Sequence, residues 1–311
     1  MNRDRYTKLL FPVLGFIILA FSFWLLNKKL SHYNLDDILH SLSTIGKSQL
    51  SWAVGFTIIG YLVISTYDIL AFSYLNRFLH KTKIFLITFI VYGISNTTGF
   101  TLLIGGGIRY YFYSRWGISP KDIAKITAFG NLSLWLGLLT VGGMACIIDP
   151  LNLAQFPQFK FIPFKALGSF LVVIVTVYLF LCWRKKALKI RDTVIYFPSL
   201  KTSLCQLFVF TSDWALAAAT LYVLLPNDDN LSYPTFFGMY LLGMNAAVLS
   251  YVPSGLGIFE TVILFLLPQT ISPPDALGSF LVYRTIRFLL PLAVAVSLAG
   301  MLEINHKLKA K

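Results

Sequence analysis

Six apolar runs, each close to the roughly 20 residues a helix needs to cross a bilayer, constrain this chain more than any other feature. They are Leu9 to Leu26, Leu50 to Leu75, Ile126 to Ile148, Ala166 to Trp183, Leu204 to Leu225 and Ala276 to Leu302. Only 13% of the 311 residues are charged and 57% are hydrophobic, whereas a soluble domain carries about a quarter charged residues. The expectation is an all-α polytopic membrane protein. Residues 1–311 read as a single transmembrane domain with no soluble catalytic domain.

The first run follows Arg3, Arg5 and Lys8, as a signal sequence would. It is long for a signal h-region, and Phe21-Ser-Phe-Trp24 offers no small-residue cleavage site, so it reads as a retained helix. Cys146, Cys182 and Cys205 lack metal or redox spacing and read as buried apolar fillers. The net charge of +13 sits mainly in short connections, the pattern of the positive-inside rule. It therefore argues for topology and for anionic phospholipid head groups, not for nucleic acid.

Between the full runs lie two interrupted apolar segments. Residues 84–112 contain a polar break at Ser95 to Gly99, then Gly105-Gly106-Gly107 and Arg109. Residues 235–268 break at Pro253-Ser-Gly255-Leu-Gly257 and then carry Glu260. Simple alternation of spans would put the basic links at Arg77 to Lys83 and at Arg115 to Lys125 on opposite sides. Treating both interrupted segments as re-entrant hairpins, inserted from opposite sides, puts 18 Lys and Arg inside, 5 outside and 3 in the membrane. The expected architecture is six full transmembrane helices plus two Gly-broken hairpins, with both termini cytoplasmic. The halves 1–150 and 151–311 share this plan and read as inverted repeats. Broken segments at matching positions are the best sequence pointer to a transporter's binding site.

The intramembrane charges are Asp68, Arg109, Asp213, Glu260, Arg284 and Arg287. Such residues are costly in lipid and are kept either as mutual partners or as part of a pathway. As ion pairs they would merely hold helices in register. As a site they would line a polar cavity between the hairpins, Arg109 with Arg284 or Arg287 binding phosphate through a planar fork of donors. Asp68, Asp213 and Glu260 would balance charge, and exposed amides near Gly105 to Gly107 or at Gly255 to Gly257 would add donors to an anion. Tyr110, Tyr111, Tyr113 and Trp116 read as an interfacial belt. Asp36-Asp37 and Asp228-Asp229 read as solvated turns.

Catalytic and cofactor signatures are missing. His32, His40, His80 and His306 fall in connections or the tail without a second ligand at metal spacing. No nucleophile elbow, Walker loop or dinucleotide fingerprint occurs. The expectation is a non-enzyme with neither cofactor nor metal.

Gly105-Gly-Gly-Ile-Arg109-Tyr110, Tyr113-Ser-Arg115-Trp-Gly117, Pro253-Ser-Gly-Leu-Gly-Ile-Phe-Glu260 and Tyr283-Arg284 resemble motifs of the lysylphosphatidylglycerol synthase transmembrane-domain family. The resemblance covers almost the whole chain and points to its stand-alone, YbhN-like bacterial inner-membrane members. It implies a flippase that moves a phospholipid between leaflets, with Asp68 and Arg109 at functionally important positions and Glu260 in the family's Pro-Gly-Leu-Gly-Glu element. Fused members add a soluble aminoacyl-transferring domain, and with the chain ending at Lys311 no aminoacylated lipid should be made here. The expected function is transport of an anionic or modified phospholipid. The alternative is a non-catalytic membrane partner of a lipid-synthesising or glycosyl-transferring enzyme. An intrinsic membrane transferase is a third reading, and a homo-oligomer stays open.

Overall fold

The computed structural model describes residues 35–98, 101–148, 163–184, 187–190, 193–250 and 252–309. Helices follow one another as α1 (Leu35–Thr44), α2 (Lys47–Ile64), α3 (Tyr67–Tyr74), α4 (Lys81–Thr98), α5 (Thr101–Arg115) and α6 (Pro120–Ile148). Then come α7 (Phe164–Trp183), α8 (Leu200–Tyr222), α9 (Tyr233–Leu249), α10 (Ile258–Leu266), α11 (Pro273–Arg284) and α12 (Leu290–Lys309). Among the described residues, five stretches are long and apolar enough to span a bilayer: Lys47–Tyr74, Pro120–Ile148, Phe164–Trp183, Leu200–Tyr222 and Pro273–Leu308. They coincide with five of the six apolar runs, and the remaining run, Leu9 to Leu26, lies outside the described residues. The chain is a polytopic all-α membrane protein.

One short addition interrupts the helices. The basic loop after α7 carries strands β1 (Ala187–Ile190) and β2 (Thr193–Tyr196), antiparallel, with Ala187 opposite Tyr196 and Ile190 opposite Thr193. Thr193-Val-Ile-Tyr196 is β-branched and aromatic, a composition suited to a strand.

Lipid-facing surface is clearest on α7. Leu167, Phe170, Val173, Val177 and Phe180 are exposed, while Gly168, Val175, Tyr178 and Cys182 are buried. Water would penalise such an apolar stripe, whereas acyl chains match it. The buried face packs closely on α6, since a Cβ on Gly168 would come within 2.6 Å of the Gly143 carbonyl oxygen. Small residues allow this approach, which is how helices associate without a hydrophobic driving force between them.

The described residues form two compact units. One takes Ile59–Tyr92 and Thr101–Ala215, the other those within Met1–Ile58, Gly93–Phe100 and Leu216–Lys311. This division by proximity does not fall at the boundary of the sequence halves near residue 150.

The two interrupted segments differ from each other. α4 stays helical through Ser95 to Thr98, and the glycine triplet lies inside α5. The expected non-helical break across Ser95 to Gly99 is therefore corrected for Ser95 to Thr98, while Gly99 falls outside the described residues. Gly105 to Gly107 have their amides in the helical ladder, so they are not exposed donors for an anion. The second segment breaks where expected. After α9, a 3₁₀ turn spans Pro253–Gly255, and α10 starts afresh at Ile258.

Candidate functional site

In the unit containing α3 and α5, the intramembrane charges close on each other. The Ser65 and Thr66 hydroxyls bond back to the carbonyls of Tyr61 (2.6 Å) and Val63 (2.7 Å), a pattern that bends helices. The chain restarts as α3 with Asp68 in its first turn. Arg109 donates to that carboxylate from Nε (2.8 Å to Oδ2) and Nη2 (2.7 Å to Oδ1), and the Tyr113 hydroxyl adds a third bond to Oδ2 at 2.8 Å. Both charged side chains are 1% exposed. Tyr92 lies under the guanidinium, 5.4 Å from ring centre to Cζ.

Asp213 joins the edge of this cluster. Its Oδ2 accepts from the Tyr67 hydroxyl at 3.2 Å, and Tyr67 stacks on Phe210 and meets Tyr92 edge-on. Tyr67 thus reaches Asp213 while its chain neighbour Asp68 holds Arg109. Tyr113 is a correction: it is fully buried against Asp68, whereas Tyr110 and Tyr111 are exposed as belt residues would be. The signal was its position four residues after Arg109, one helical turn on the same face.

The other unit holds a second pair with a different character. Ser254 (φ 56°), Gly255 (φ 61°) and Gly257 (φ 78°) turn the backbone through the left-handed region. A Cβ on Gly255 would lie 2.3 Å from that of Ala247, so glycine is required there by both conformation and space. The freed amide of Gly257 is taken by Glu260 Oε2 at 2.8 Å, so the amide expected to await an anion already has one from its own helix. Glu260 Oε1 accepts from Arg284 Nε and Nη2, both at 2.7 Å, and Arg284 Nη1 reaches the carbonyl and hydroxyl of Ser254, each at 3.1 Å. The side chains of Arg284 and Glu260 are 16% and 11% exposed. Arg284 ends α11 as the helix widens into a π turn, Thr285–Leu289, which buries Arg287. Arg109 pairs with Asp68 in one unit, and Arg284 pairs with Glu260 in the other.

The family is decided by extent of match. The model of the lysylphosphatidylglycerol synthase TM region matches residues 13–295. The chain belongs to that family. It is 39% identical over 302 residues to the Synechocystis protein slr0712, covering 97% of this chain and 94% of that protein. It is 28% identical to the inner membrane protein YbhN of Escherichia coli, covering 89% and 87% of the two chains. Phosphatidylglycerol lysyltransferase of Staphylococcus haemolyticus is 23% identical over 87% of this chain but only 31% of its own length. Residues Asp68, Arg109, Pro253 to Glu260 and Arg284 all fall within the matched range.

Two features of this family member had no counterpart in the sequence reading. Ser133, Tyr178, Cys182, Ser203 and Gln206 form a buried polar chain across α6, α7 and α8. Gln206 donates to Ser133, Tyr178 to Gln206 at 3.2 Å, and Ser203 to Cys182 at 3.1 Å. These residue types are common in spans, so single letters carry no signal. A cavity of about 470 Å³ opens beside the turn Pro226 to Leu231, lined also by Gln49, Trp52 and Tyr222. There the Thr270 hydroxyl and then the Asn230 amide hold the Asp228 carboxyl below its usual range. Among the described residues no group of three His, Cys, Asp or Glu is placed to hold a metal ion.

Proposed function

We propose that this chain moves an anionic or modified phospholipid between the leaflets of a bacterial inner membrane. The observation that carries the reading is the contrast between the two pairs. Asp68 and Arg109 are sealed at 1% exposure, while Glu260 and Arg284 are several-fold more accessible beside a broken helix. A phosphate offers the same paired oxygens as a carboxylate and binds a guanidinium bidentately. It can take Arg284 from Glu260, which keeps its bond to the Gly257 amide. Glu260 then balances charge or receives a cationic group, and the acyl chains stay in lipid. The named activity of the staphylococcal relatives on phosphatidylglycerol supports a phospholipid substrate. The description of YbhN supports the location.

The test is leaflet translocation of labelled phosphatidylglycerol and phosphatidylcholine by the purified chain in proteoliposomes. Transport is expected, with loss in Arg284→Gln and Glu260→Gln. Unchanged transport in both, and in Asp68→Ala and Arg109→Ala, would remove the site. A second reading, a non-catalytic partner of a lipid-synthesising or glycosyl-transferring enzyme, draws support from the extra length of the lysyltransferases that contain this region. A co-purifying enzyme without translocation would favour it.

A further inference from the structure

The two basic links that flank α4 and α5 are distant in sequence but meet in space. Arg77 Nη2 lies 2.8 Å from Asp122 Oδ2, and the Lys83 ammonium sits 5.0 Å above the Trp116 ring. The guanidinium of Arg115 stacks 3.8 Å from the Tyr111 ring. Arg77, Lys81, Lys83, Arg115, Lys121 and Lys125 are all exposed, while Asp122, buried against Arg77, is the one acid among these links. Phe78, next to Arg77 in the first link, is 97% exposed.

Three physical facts converge on this end of the unit. Exposed like charges repel, so six cations gathered by folding against the single carboxylate of Asp122 leave an excess of positive charge that suits an anionic counterpart. Tryptophan and tyrosine settle at head-group level, and here their faces hold Lys83 and Arg115 at that same level. A fully exposed phenylalanine is unfavourable in water and favourable at the acyl boundary. We infer that the Arg77–Lys83 link and the Arg115–Lys125 turn form one binding surface for the head groups of anionic phospholipids, anchored by Phe78. Each cation near an anionic surface is worth roughly 1 kcal/mol, and such attraction weakens with salt. The inference goes beyond the transport reading, because it concerns which lipids gather at this end, whether or not they cross.

The full chain, purified in mild detergent, is exchanged into equal phosphatidylglycerol and phosphatidylcholine, and the retained lipid is measured by mass spectrometry. Enrichment of phosphatidylglycerol is expected. It should fall at least about tenfold in K81Q/K83Q/K121Q/K125Q, which leaves Arg77–Asp122 intact, and also on raising salt. Phe78→Ser should lower retention of both lipids. Phosphate and chloride at matched ionic strength should displace the lipid equally. Selective displacement by phosphate would make this a free-anion site and overturn the inference. So would enrichment unchanged in the quadruple variant, or capture of an acidic protein with no lipid preference. Translocation is a separate readout, so loss of transport in Arg284→Gln with enrichment intact tells the two ideas apart.

Discussion

Arg109 meets Asp68 as a two-pronged fork, Nε on one carboxylate oxygen and Nη2 on the other, with Tyr113 closing the same carboxylate. Both charges are out of contact with solvent, so removing either leaves the other buried alone. That costs about 3–5 kcal/mol, whereas replacing both by apolar residues is often near neutral. Asp68→Asn and Arg109→Gln should therefore each lower the Tm in detergent clearly. Asp68→Leu with Arg109→Leu should lose less than the two single leucine variants sum to, by a double-mutant cycle. Strict additivity would mean the pair does not couple.

Glu260 and Arg284 should behave differently. Arg284 spans three acceptors, Glu260 Oε1 and the Ser254 carbonyl and hydroxyl, and a lysine ammonium cannot reproduce that planar fork. Arg284→Lys is expected to keep the fold and the charge yet lose most translocation. Glu260→Gln retains an oxygen for the Gly257 amide, so its Tm should change by less than that of Asp68→Asn. Measuring Tm and leaflet translocation on the same samples separates a functional pair from a structural one. Equal stability losses with no selective effect on transport would assign both pairs to structure alone.

The apolar runs were readable because crossing a bilayer fixes length and composition together, and five of them recur as spans. The break at Pro253 to Gly257 was readable for a local reason: proline and closely spaced glycines cannot extend α9 regularly. The glycine triplet misled because helix propensity is a local measure. At Gly107 an added Cβ would meet nothing within 4 Å, and the triplet remains in α5 regardless. Tyr113 and the chain Ser133–Gln206–Tyr178 were not readable, since partners so far apart in sequence are fixed by packing.

Two glycines make opposite predictions from this difference. Gly255 holds a positive φ and has Ala247 Cβ at 2.3 Å from a would-be Cβ. Gly255→Ala should unfold the turn or displace α9, lowering Tm and weakening the hold on Arg284. Gly107 is helical with open space beside it. Gly107→Ala should leave Tm unchanged or raise it, by up to about 1 kcal/mol of helix stability. A large loss in Gly107→Ala would show that this position needs glycine for a close approach the fold does not display.

The same-end meeting of the two basic links makes a topological prediction. α4 and α5 leave from and return to one place, because Lys83 touches Trp116 and Arg77 touches Asp122 across the whole hairpin. Links that touch through side chains cannot be separated by a bilayer about 30 Å thick. Single cysteines at Lys81 and Lys121, in a chain whose native Cys146, Cys182 and Cys205 are replaced, should therefore share one accessibility. By the positive-inside rule, that end, with its six exposed cations, is expected to face the cytoplasm. Both positions should resist an impermeant maleimide in intact cells and react after permeabilisation. Labelling of only one would break the hairpin, and labelling of both from outside would invert the membrane orientation.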